Sequence, residues 1–116
     1  MAPALLLMCL ACATPSATLW VQNVKVSYTG ADDDATAAAC ADFALTPAEA
    51  GAFFTRAKAI TGAELHQYNY APCYVRGSGT VNDRPVSWEI RAAGTATVRT
   101  DETTTLLADP TQRPEP

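Results

Sequence analysis

The chain has 116 residues, 48% of them hydrophobic, with 12 Asp or Glu against 8 Lys or Arg and a formal net charge of -4. A body of roughly 100 residues makes one domain with one core and excludes two. The acidic balance, with no Lys/Arg cluster, excludes the basic footprint of a nucleic-acid binder, and the regular spacing of Trp, Tyr, Phe, Val and Ile from Trp20 to Leu107 excludes a disordered chain.

Residues 1–13 read as an export leader. Ala4 to Ala13 (ALLLMCLACA) is apolar but far shorter than the roughly 20 residues of a membrane-crossing helix, which fits the apolar part of a secretory signal. Two cleavages compete. Ala11-Cys12-Ala13 fits ordinary signal peptidase, whereas Leu10-Ala11-Cys12 resembles the end of a bacterial lipobox, in which Cys12 carries the lipid. The match is partial, because Cys9 stands where that motif has leucine and Met1-Ala2-Pro3 lacks a basic residue. Residues 14–18 form a tether, and residues 19–108 the folded domain.

Leu19 to Tyr28 alternates Trp20, Val24, Val26 and Tyr28 against Asn23, Lys25 and Ser27, the period of a strand with one buried face. Thr29 to Asp34 breaks it as a solvated loop. Thr46-Pro47-Ala48-Glu49 is a capping box with proline at the first helical position, and Ala50, Phe53, Phe54, Ala57 and Ile60 carry one apolar helical face toward a C-terminal cap at Gly62. From Cys73 the spacing predicts a meander over Cys73 to Val81, Val86 to Ala92, Thr95 to Thr100 and Thr103 to Ala108. Residues 109–116, with three prolines and no apolar anchor, read as a disordered tail. The expected fold is α+β: one main helix packed on an antiparallel sheet of three to five strands, with one disulfide.

That disulfide joins Cys40, before the helix, to Cys73, at the head of the meander, and would clamp helix to sheet. A closed loop of about 33 residues is worth roughly 3.5 kcal/mol in the chain-entropy treatment, and export makes the bond possible. No CxxC spacing is present and one histidine cannot complete a four-ligand zinc site with two distant cysteines, so neither metal nor cofactor is expected.

His66, the single histidine, has Glu64 close by in ELHQYNYAP, but no nucleophile elbow accompanies it, and a polar loop residue is the plainer reading. Asp32-Asp33-Asp34 lacks the glycine and distal glutamate of a calcium loop and reads as a solvated charge run. Gly77 and Gly79 share one strand face and would let Phe53 or Phe54 approach the backbone. Tyr68, Tyr70 and Tyr74 can form a lid on the core or a recognition patch. The polar face of the meander collects Tyr74, Arg76, Glu89, Arg91 and Arg99, side chains of the kind that anchor protein interfaces.

Cys40-Ala41-Asp42-Phe43, Leu45 to Glu49, Phe53-Phe54, Tyr68 to Val75 and Val86 to Gly94 together resemble small secreted or lipoprotein domains of Gram-negative bacteria, of a type with two cysteines flanking a helix and a Trp-containing hairpin. The resemblance implies a periplasmic or outer-membrane setting and carries no catalytic residue. The expected function is non-enzymatic: an exported protein, periplasmic or lipid-anchored, that binds another envelope or secreted protein, as an inhibitor or immunity-type factor does. A small-ligand module with a pocket between helix and sheet is the alternative, and a hydrolase using His66 the third.

Overall fold

The computed structural model describes residues 21–114, so the expected leader, Cys12 and the expected tether lie outside the described residues. In chain order it runs β1 (Gln22–Ala31), α1 (Asp34–Ala37), α2 (Pro47–Arg56), β2 (Lys58–Ala59), α3 (Gly62–Leu65), β3 (Cys73–Val81), β4 (Arg84–Arg91), β5 (Thr95–Arg99) and β6 (Thr104–Ala108), then a 3-10 turn at Pro110–Gln112. The strands make one antiparallel sheet in the order β1-β3-β4-β5-β6-β2.

The expectation of one main helix on a sheet of three to five strands is overturned: six antiparallel strands dominate, and the helices are three short pieces. Two local events account for the difference. The capping box at Thr46 and Glu49 forms as expected, but α2 stops at Arg56, not before Gly62. Ala57 turns extended, and the next residues find sheet partners on β6, where Lys58 pairs with Ala108, Ala59 with Leu107, and the Ile60 N–H donates to the Leu106 carbonyl at 3.0 Å. A sixth strand thus replaces the last helical turn. Gly62, expected as a C-terminal cap, instead opens α3, because Thr61 and Glu64 form a second capping box.

Alternation along β3, β4 and β5 sends Val75, Val86, Trp88, Ile90, Ala96 and Val98 to one face, where Ala50, Phe53 and Phe54 of α2 cover them. This inner face is the core. Phe54 meets the Trp88 ring edge-on at 5.6 Å, and the Trp88 indole N–H donates to the Ser78 carbonyl at 2.9 Å. Gly77 is required by close approach: a Cβ there would collide with the Lys25 carbonyl and the Trp88 ring, so β1 and Trp88, not the phenylalanines, come against this glycine. Asn82 and Asp83, both with positive φ, make the two-residue turn between β3 and β4. The Cys40–Cys73 disulfide is formed, with Cα atoms 5.1 Å apart, and ties the segment between α1 and α2 to the start of β3.

β1 departs from strict alternation. Its register shifts between Gln22 and Lys25, where Asn23 takes φ 54°, and again between Val26 and Tyr28. Val26 lies opposite Gly77 on the inner face, but the second bulge places Tyr28 opposite Arg76, on the outer one. Tyr28, expected to point inward with Val24 and Val26, is therefore 53% exposed.

The segment expected to leave the domain as a tail is held from its first residue. Asp109 is 2% exposed, its carboxylate accepts from Arg56 Nε at 2.9 Å and Thr111 Oγ1 at 2.7 Å, and its N–H donates to the Gly94 carbonyl at 2.9 Å. Burial pushes the carboxyl up, but hydrogen bonds from Thr111 and Arg56 outweigh it and hold it below its ordinary value. A depressed folded value contributes stability that is complete above the unfolded carboxylate range, about 3.9, and is lost as pH falls through the folded one. Melting curves from neutral pH into acid should therefore show a shallower acid loss in Asp109→Asn than in the parent, from a neutral-pH stability lower by about 1–3 kcal/mol. Parallel acid limbs would refute the assignment.

Candidate functional site: the outer face of the sheet

The register that buries Trp88 puts its neighbours on the opposite face. Tyr74 pairs with Arg91, Arg76 with Glu89, and Ser87 with Arg99, so all five residues singled out by alternation share the outer face. Four of them form one connected group. Glu89 Oε1 accepts from Arg76 Nε at 2.9 Å and Oε2 from Arg91 Nε at 3.0 Å. Arg91 also grips Asp32 with both terminal nitrogens, at 3.1 and 3.0 Å, and donates to the Ala71 carbonyl at 2.9 Å. Both guanidinium groups lie over the Tyr74 ring, that of Arg76 at 4.3 Å and that of Arg91 at 5.1 Å from its centroid. Arg99 stands apart, bordering a shallow depression with Arg76, Ser87 and Glu89, its Nε donating to Thr104 Oγ1 at 3.4 Å.

Each charge in this group has a partner of opposite sign. The Glu89 hydrogen bond holds Arg76 above its ordinary value. For Arg91, partial burial pulls down, but the Asp32 hydrogen bond and the charges of Glu89 and Asp32 outweigh it and hold the group above the usual arginine range. Two cations and two carboxylates balance locally. Arg91 is a positioning residue: its removal would leave the Asp32 carboxylate, one oxygen of Glu89 and a loop carbonyl without the donor it supplies. Arg76, with a half-exposed side chain, presents its face to solvent.

Two exposed aromatics flank the group. Tyr28 tilts against Tyr74 with ring centroids 6.1 Å apart, and Tyr70, 75% exposed, lies 5.7 Å from the Arg91 guanidinium. The tyrosines near Pro72 thus divide: Tyr74 is 7% exposed beneath the arginines, Tyr68 half-buried, and Tyr70 open. They belong to the outer face and not to a lid on the core. Tyr28 and Asp32 were missed by period-two reading, since a β-bulge leaves no fixed residue signature and a charge run does not reveal its partner. The other acids are also used locally: Asp33 caps α1 by accepting from the Thr36 N–H at 2.9 Å, and Asp34 sits in that helix's first turn. Among the described residues no group of three or more His, Cys, Asp and Glu is placed to hold a metal ion.

α3 and the loop after it cross above the outer face of β5 and β6. Between them lies a cavity of about 370 Å³, lined by Leu65, Tyr68, Tyr70, Ala71, Thr95, Thr97 and Leu106 together with the polar side chains of His66, Asn69 and Arg91. It lies on the face opposite α2; a second cavity, of about 310 Å³, lies between α2 and the sheet, lined by Leu45, Phe53, Arg56, Ile90 and Asp109 among others. His66 is the exposed C-terminal cap of α3. Glu64, its sequence neighbour, turns its carboxylate back to the Thr61 N–H at 2.8 Å, and among the described residues no hydrogen bond joins it to His66. That carboxylate is used by the helix cap.

Comparison of the chain with protein-family models, with curated proteins and with solved structures gives no match.

Proposed function

We propose that the protein is a non-enzymatic, exported binding module that recognises another protein through the strip running Tyr28, Tyr74, Arg76, Arg91, Tyr70 on the outer sheet face. An inhibitor or immunity-type factor falls within this reading, and so does lipid attachment at Cys12. The observation that carries it is the exposure of Tyr28 and Tyr70, 53% and 75%, at the two ends of a strip whose middle is locked by ion pairs and stacking. Tyr and Arg held in fixed conformations lose little entropy on binding and dominate interface energetics. The charge balance within the strip favours a protein surface over a polyanion.

The sheet edges favour a face-on mode. β1, at one edge, carries two bulges and Lys25, and β2, at the other, is only two residues long. Both are devices that discourage strand addition. The Cys40–Cys73 bond supports an oxidising compartment.

Photo-cross-linking from the two faces tests the reading. A photoreactive residue replacing Tyr70 should give a discrete adduct with one partner in cells that export the protein, whereas the same residue at Ala52, exposed on α2, should give none. Adducts from position 52 alone would place recognition on the helical face and overturn the proposal.

A further inference from the structure

The segment that covers the cavity above β5 and β6 is held by specific bonds. At its entry Thr61 and Glu64 cap α3; at its exit Arg91 Nη1 holds the Ala71 carbonyl at 2.9 Å; between them Arg113 Nη1 donates to Gln67 Oε1 at 2.9 Å. The segment that roofs the cavity is thus bonded at three points along its length. Its floor is strand side chains, Thr95 and Thr97 on β5 and Leu106 on β6. A volume of about 370 Å³ falls within the range of small-molecule sites.

The lining defines the chemistry. Leu65, Tyr68, Ala71 and Leu106 supply carbon, and the hydroxyls of Tyr68, Thr95 and Thr97 supply uncharged donors and acceptors. Arg91 adds no free charge, because Asp32 and Glu89 already neutralise it at 3.0 Å, and His66 and Asn69, which also line the cavity, are exposed to solvent. A charged ligand would lose hydration there without gaining a counter-ion. Tyr68 and Tyr70 line it beside the neutralised guanidinium of Arg91, 5.7 Å from the Tyr70 centroid, and aromatic surroundings of this kind favour a flat ring. We infer that this cavity binds a small, neutral, ring-bearing molecule with a hydroxyl or carbonyl group. The inference does not rest on the partner-binding reading, and its filling variants, at Thr97 and Leu106, lie outside the exposed strip.

The test titrates the full chain at pH 7 with three probes of one ring system: 2-naphthol, neutral; 2-naphthoate, an anion; and 2-naphthylmethylammonium, a cation. Calorimetry should give 2-naphthol a Kd of about 100 µM or tighter, and both ions should bind at least about tenfold more weakly. Amide shifts in NMR spectra should concentrate in residues 65–71 and 95–97. Thr97→Phe and Leu106→Trp, which fill the cavity from its floor, should each weaken 2-naphthol at least about tenfold with the folded spectrum retained. No saturation by about 1 mM, tighter binding of either ion, or amide shifts on another face would overturn the inference. Since the NMR map is read on the parent chain, it decides the matter even if a filling variant fails to fold.

Discussion

Replacing Trp88 with alanine is expected to lower the unfolding free energy by about 3–5 kcal/mol, the cost of removing a large aromatic from a packed interior. Trp88 is 3% exposed, meets Phe54 edge-on at 5.6 Å, and lies over Gly77 on one side and beside Val98 on the other. No small neighbour can close the gap, because α2 is fixed by its capping box and Gly77 offers no side chain. The same substitution also orphans the Ser78 carbonyl. Urea unfolding followed by circular dichroism should show a lower midpoint with the slope unchanged, while Tyr28→Ala on the outer face should shift stability by less than about 0.5 kcal/mol. A comparable loss in both variants would mean that the inner face is not the core.

Cys40→Ser with Cys73→Ser is expected to cost roughly 3.5 kcal/mol, since opening a loop closed across a separation of 33 residues returns its conformational freedom to the unfolded chain. In a domain of this size total stability is about 5–15 kcal/mol, so the change takes a large share. The bond matters for position as well. Asp32, which holds Arg91, donates its N–H to the Pro72 carbonyl beside Cys73, and the disulfide fixes that neighbourhood. Alkylation of the unfolded parent without reductant should leave both cysteines unlabelled, and two labelled thiols would contradict the bond.

Much of the meander was legible because period two over β3, β4 and β5 is enforced by a single buried face, and the capping box at Thr46 is local chemistry. The failures are equally physical. Helical spacing carried the reading on to Ile60, but spacing cannot register that β6 offers an open edge, and backbone pairing there ends α2 at Arg56. The second capping box, Thr61-Gly62-Ala63-Glu64, has the same signature as the first and could have been read; Gly62 drew attention as a terminator instead. Tyr28 changed faces through a bulge that sequence does not announce. The docking of residues 109–113 depends on Arg56, which lies 53 residues away from Asp109 in the chain. For the outer face, alternation brought Tyr74, Arg76, Glu89, Arg91 and Arg99 together, but only the structure separates Arg91, which is consumed by Asp32, Glu89 and Ala71, from Arg76 and Tyr70, which face solvent.

That separation makes partner capture by Tyr70→Ala with Arg76→Ala, read beside the melting temperature, decisive for recognition through the outer face. Truncating an interface anchor costs about 1–4 kcal/mol of binding, so the double variant should lose at least about tenfold in captured partner. Neither side chain is buried in the core, so the melting temperature should move by less than about 4 °C. Full capture by the double variant, with function lost instead in His66→Ala, would contradict recognition through the outer-face strip.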